Sequence, residues 1–275
     1  MMSVFKSMPV SGKLGSALVA FWLFIALFGP WLAPHTASEI VAYDVFEPIG
    51  GEYVLGTDYI GRDVFSRILD GTRFTIFIPL LAAALACSVG TLIALYSAVS
   101  HPRTDEIIAR FMDALISIPS KIFSLVMIAA FGSSVPILLT ITAISYMPGS
   151  FRIARALAVN VASMDFVTVA RTRGESRLYL AVKEILPNIL HPMLADFGLR
   201  FVFVVLLLSS LSFLGLGVQP PEADLGSLVR ENISGLAEGA PAVIVPAIAI
   251  ATITIAVNLV IDSVRGGATY AAKGK

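Results

Sequence analysis

The sequence predicts an all-α polytopic transmembrane bundle of about six helical spans, and three observations lead there. Of 275 residues, 57% are hydrophobic and 14% charged, with mean hydropathy +0.86. Soluble domains carry nearer a quarter charged residues, so this chain has too few charges to cover a water-facing surface. Uncharged apolar runs long enough to cross a ~30 Å hydrocarbon core recur along it. Basic residues also segregate into alternate connecting segments. The formal net charge is zero, which gives no general attraction to nucleic acid or acidic surfaces. The lone cysteine, Cys87, excludes an internal disulfide framework or thiolate metal site and reads as a small buried hydrophobe.

Leu14 to Ala33 is uncharged and lacks a small-residue cleavage site, so it reads as a retained first span, not a removed signal peptide. Phe74 to Ser100 is the second. Ile122 to Phe151 is interrupted by Gly132, Ser133, Ser134 and Pro136, which predicts the end of one helix, a tight turn and the start of the next. The earlier helix then begins near Ile107 and brings Arg110, Asp113 and Lys121 close to or into the membrane. Phe201 to Gly217 continues a segment starting near Ile189, and Gly239 to Ile261 is the last span.

Helices in lipid need close backbone approach to associate. Rows of small residues at every fourth position supply it: Ala82, Ala86, Gly90, Ala94 and Ala98 on the second span, and Ser150, Ala154, Ala158 and Ala162 on the fourth. Ala247 and Ala251 make a shorter row on the sixth.

Orientation follows from short basic segments. Arg152 to Lys183 holds Arg152, Arg155, Arg171, Arg173, Arg177 and Lys183. Lys6 and Lys13 mark the N-terminus, and Arg265, Lys273 and Lys275 the C-terminus. The loop from Pro34 to Arg73 instead carries seven acids against three arginines. Six spans put both termini and the Arg152–Lys183 segment in the cytoplasm.

Catalytic signatures are missing: no metalloprotease helix, no nucleophile elbow and no phosphate-cradling loop occurs. His35, His101 and His191 are far apart, each near a proline at a span boundary. Without a nucleotide loop the chain needs a partner to use ATP. Asp196 and Arg200, four apart with the acid first, predict an intrahelical pair near the cytoplasmic interface, with contact to a substrate as the less favoured alternative. Asp58, Arg62 and Asp63 predict either a local salt-bridge network that folds the external loop or a contact with a binding protein. Gly56, Gly61 and Gly71 read as turn residues there.

Asp165 to Asn188 reads DFVTVARTRGESRLYLAVKEILPN. Asp165 is a suitable N-cap for a short helix, and Gly174 can take the left-handed conformation that ends it. A second helix restarts near Glu175 and ends before Pro187. This predicts two short helices around a glycine bend on the cytoplasmic face, a rigid lever suited to being moved by another protein.

The spacing of Thr168, Val169 and Ala170, then Gly174, then Ile185, Leu186 and Pro187 resembles the "EAA" loop of bacterial ABC-importer permeases, with Thr168 and Val169 in place of Glu and Ala. Leu55 to Arg73, LGTDYIGRDVFSRILDGTR, resembles the segment after the first span in the second permease of dipeptide, oligopeptide and nickel importers. SFLGLGVQPP, Ser212 to Pro221, with Asp224, Leu225 and Gly226, resembles that family's loop after the fifth span, Leu225 replacing a tryptophan.

The resemblance implies a type I ABC-importer permease fold. Residues 1–73 would form the N-terminal segment, first span and external loop, 74–265 a five-span core with a coupling loop near 163–188, and 266–275 a cytoplasmic tail. It further implies a multi-pass protein of the bacterial plasma (inner) membrane. Expected partners are a homologous second permease, two ABC ATPases and an extracytoplasmic solute-binding protein. The chain would be no enzyme and bind no cofactor, ATP and Mg residing on the ATPases. The residues expected to couple to them are Asp165, Thr168, Ala170, Gly174, Glu175, Ser176, Leu186 and Pro187. A secondary transporter or channel predicts a buried relay or inverted repeat, neither of which is evident; an anchoring scaffold would not require the lever.

Overall fold

The computed structural model describes residues 9–50 and 52–273, with side chains to residue 263. Lys6 and the C-terminal basic side chains therefore lie outside what is described. Helix α1 is Val10–Leu32, α2 Val64–Val99, α3 Pro102–Ile116, α4 Ser120–Phe131, α5 Val135–Ala162 and α6 Asp165–Thr172. Helix α7 runs Arg177–Phe213, α8 is Leu225–Glu231, and α9 is Pro241–Lys273 after a 3₁₀ turn at Ile233–Glu238. Five helices (α1, α2, α5, α7 and α9) are long and apolar enough to cross a membrane, and the bent pair α3–α4 makes a sixth crossing if it acts as one span. Among the described residues the only β pairing is two isolated bridges, Ile40 with Arg62 and Thr57 with Asp63.

The central packing is α2 against α5. Ala82, Ala86, Gly90 and Ala94 are buried on α2, and Ser150, Ala154 and Ala158 on α5. A Cβ at Gly90 would sit 2.9 Å from the Met147 carbonyl oxygen and 3.0 Å from the Phe151 nitrogen, so the two backbones touch there. The predicted rows on these spans therefore face each other within one chain. The row on the last span does not: Ala247 and Ala251 are exposed, while Ala242, Ala249 and Ala256 pack inward. This shorter row thus makes no seam within the chain and faces outward.

The third span departs from a continuous helix beginning near Ile107. Helices α3 and α4 meet at 81°. Pro119 carries no N–H and biases Ile118 away from helical geometry, and the Ser117 hydroxyl donates to the Ala114 carbonyl at 2.7 Å, closing α3. Helix α3 is strongly amphipathic, with Arg110 paired to Glu106 and Asp113 to Arg152 across to α5.

Beyond α1, the loop folds around charge. Asp58 is 1% exposed and accepts from Arg62 and Arg67, each at 2.7 Å; both arginines also reach Glu231 on α8 at 2.8 Å. Burial alone would lower the Arg62 pKa, but Asp58 and Glu231 more than offset it, so its value is raised and the guanidinium stays charged. Asp63 is no part of this network; it caps α2 by accepting from the Ser66 N–H. Gly71 lies inside α2 instead of in a turn. The Ser212–Pro221 signature closes onto α8 through a Ser212–Asp224 hydrogen bond, with Asp224 and Ser227 forming a capping box.

Removing one partner of a buried charge network strands the others, a loss of about 3–5 kcal/mol. Asp58→Asn should thus lower the thermal unfolding midpoint in detergent by several degrees, whereas Glu106→Gln at the exposed α3 pair should leave it nearly unchanged.

Candidate functional site

The candidate site is the bend joining α5 to α7. Helix α5 ends at Ala162 with Ser163 as its C-cap, and one extended residue, Met164 (ψ 152), turns the chain into α6. Met164 is therefore the N-cap and Asp165 the first helical residue, with no side-chain cap bond, because so short a connection leaves only one residue to turn in. Asp165 still sits where an acid favours the positive end of the helix dipole.

Helix α6 closes as the sequence predicts. The Glu175 N–H reaches the Ala170 carbonyl at 3.3 Å and the Gly174 N–H the Arg171 carbonyl at 3.1 Å, the paired bonds of a Schellman ending. Gly174 has φ +82, and nothing lies within 4 Å of where its Cβ would be. Its requirement for glycine is purely one of backbone conformation. Ser176 then caps the next helix, accepting from the Tyr179 N–H at 3.2 Å.

That helix does not end before Pro187. It continues unbroken to Phe213 through a π-helical stretch, Leu180–Ile185. Pro187 cannot donate to the Lys183 carbonyl, and its ring would collide with that turn in an α-helix. The wider register admits it: the Leu186 N–H bonds Ala181, five residues back, and the Asn188 side-chain amide donates to the Glu184 carbonyl at 2.7 Å. The bend is thus fused to a membrane-spanning helix.

The expected site residues divide into two groups. Ala170 is buried and Leu186 partly so, packed with Val167, Leu180 and Ile185 into the same cluster as Ala94, Phe151 and Ala158. Asp165, Thr168, Gly174, Glu175, Ser176 and Pro187 are exposed. Between them stand three exposed apolar residues: Val169, a motif position, with Phe166 and Leu178, which sequence reasoning did not single out, the last 74% exposed. Apolar side chains within a basic, polar stretch were the available signal.

Elsewhere, Asp196 is buried and pairs with Arg200 at 3.2 Å as the spacing predicts. Among the described residues no three His, Cys, Asp or Glu side chains gather as a metal ligand set.

Since Gly174 has open space around it, substitution strains only the backbone, by about 1–2 kcal/mol. Gly174→Val should therefore raise the rate of tryptic cleavage at Arg173 and Arg177 in the purified protein while leaving its thermal midpoint within a few degrees.

Residues 90–266 match the family model described as "Binding-protein-dependent transport system inner membrane component". A permease protein assigned to a peptide transport system in Brucella suis is 32% identical over 255 residues, covering 93% of this chain and 86% of the relative. The di/tripeptide transport system permease protein of Pseudomonas aeruginosa is 31% identical, covering 92% and 86%. The glutathione transport system permease protein of Pectobacterium atrosepticum is 29% identical, covering 90% and 82%. The match spans α2 to α9 and includes the bend, the relatives extend it across almost the whole chain, and the protein belongs to the inner-membrane permease family of binding-protein-dependent ABC importers.

Proposed function

We propose that this permease carries short peptides or closely related solutes inward, driven by separate ATPase subunits that grip the Asp165–Pro187 bend. The observation that carries the proposal is the join of an exposed, rigid bend to a transmembrane helix. Phe166, Val169 and Leu178 project from it with Thr168 and Glu175 alongside, while Ala170, Leu180 and Ile185 anchor it to the bundle. A force on the exposed side acts directly on α5 and α7 because no flexible linker intervenes.

The remaining assignments follow from this reading. ATP and Mg belong to the ATPases, and the chain contributes a conduit and a transmission element, not catalysis. Both termini and the bend are cytoplasmic, by the distribution of Arg and Lys. A solute-binding protein delivers cargo at the opposite face, and a second, homologous permease completes the pathway. Residues 1–73 and the five-span core 74–265 act as peripheral and translocating parts, followed by the tail 266–275. The choice of peptide rests on the names of the relatives, which include peptide, di/tripeptide and glutathione systems.

In proteoliposomes holding the permease pair, ATPases and binding protein, Gly174→Val should cut uptake of a dipeptide by about tenfold while ATP hydrolysis falls far less. Uptake and hydrolysis falling in proportion, or both unchanged, would sink the lever reading.

A further inference from the structure

A second polar site lies away from the bend, at membrane depth. Gly149 is 14 residues from the Val135 end of α5 and Arg200 is 13 from the Phe213 end of α7. Both are therefore about 20 Å from those ends at 1.5 Å per residue. Ser120, at the α3–α4 break, is 11 residues from the Phe131 end of α4, roughly 17 Å. With those ends placed at one boundary of the membrane, all three fall inside a hydrocarbon core of ~30 Å.

Here the groups converge. The Arg200 guanidinium pairs through Nε and Nη2 with Asp196, which is 2% exposed. Its Nη1 has no hydrogen-bond partner among the described residues and lies along Gly149, where a Cβ would come within 2.6 Å of it. One turn away, the Tyr146 hydroxyl donates to the Phe203 carbonyl at 3.1 Å, and the two rings stack at 6.2 Å. Ser120, at the start of α4, stands at the α3–α4 break. Phe203 is 45% exposed and Lys121 is exposed beside Ser120, so this face opens at the surface of the chain.

An ionisable side chain and an interrupted helix are expensive against lipid, and both are tolerated where they line a water-filled cavity. The fold also makes room for the cation. Glycine at 149 lets the guanidinium lie against α5, and Asp196 braces it from the buried side while leaving one fork nitrogen free. A planar cation with a free N–H edge is suited to a carboxylate.

We propose that Arg200, braced by Asp196 and seated against Gly149, binds the carboxylate of the solute as it crosses the membrane, on a water-lined face that includes Ser120, Tyr146 and Phe203. The identity of the cargo rests on the importer reading; the existence of a water-accessible anion site does not.

The test has two arms, both on the assembled complex. In a Cys87→Ser background, Phe203→Cys is treated with water-soluble methanethiosulfonates bearing either a sulfonate or a trimethylammonium group. Reaction with both is expected in at least one nucleotide state, with the anionic-to-cationic rate ratio falling about fivefold or more when Arg200→Gln and Asp196→Asn are added together. No reaction in any state, or an unchanged ratio, overturns the site.

The second arm measures dialanine uptake. Arg200→Gln alone strands a buried acid, so the double variant decides. If the pair is merely structural, Asp196→Asn with Arg200→Gln restores the uptake that Arg200→Gln loses, and the proposal falls. The site requires uptake to stay down about tenfold in a complex that assembles with an unchanged thermal midpoint. Should the double variant not assemble, Gly149→Ala takes its place: it displaces the guanidinium without altering charge, and wild-type uptake and ratio would overturn the proposal. A wild-type complex that takes up no dialanine but shows the expected modification pattern refutes the peptide reading and leaves the anion site standing.

Discussion

Lipid offers helices no hydrophobic reason to associate, so a membrane bundle must be held by surfaces that fit at short range. In this protein the α2–α5 seam meets that constraint, with Gly90 admitting the Met147 and Phe151 backbone and Ala82, Ala86, Ala94, Ala154 and Ala158 lying buried along it. The other long elements take their places from this pair. Helix α7 packs against both, α1 packs on α2, and α9 packs on α1, α7 and α8. The cluster that anchors the bend contains Ala94, Phe151, Ala154 and Ala158, residues of the same seam. A movement imposed on the bend is therefore delivered to the most tightly packed part of the bundle.

The two faces of the membrane are built by different physics. At one face a buried network of Asp58, Arg62, Arg67 and Glu231 locks the loop after α1 to α8, while the capping box of Asp224 and Ser227 fixes where α8 begins. Breaking such a network is costly, which favours a fixed platform. The opposite face carries a bend whose outward side is almost wholly exposed and whose inner side is apolar. Rigid there means continuous helix: the π register at Leu180–Ile185 carries the backbone past Pro187 where a proline would otherwise have broken it. Under the proposed coupling, the permease would be moved at the bend and keep its shape at the charge network.

Much of this was legible from residue order. The rows of small residues on the second and fourth spans have the period of four of a packed helix face, and Gly174 sits where a basic helix stops. What resisted reading was set by distant partners or by rotation. Arg67 and Glu231 are 164 residues apart, so their bond leaves no local trace. Whether a proline bends or merely widens a helix depends on what surrounds it, and Pro119 and Pro187 took opposite courses. Asp165 has the chemistry of a cap, yet the short turn at Met164 shifted it one place inward. Ala247 and Ala251 carry the spacing of a seam but face outward from this chain, since two residues fix no direction.

The proposed coupling requires an ATPase to grip the bend. A photoreactive amino acid at Leu178, which is 74% exposed, tests this in native membranes. Irradiation followed by mass spectrometry should give one dominant crosslink to a P-loop ATPase subunit, absent when the same group is placed at Ile248 on the exposed face of α9. Crosslinks at Leu178 only to lipid, or to proteins lacking a nucleotide-binding loop, would contradict it.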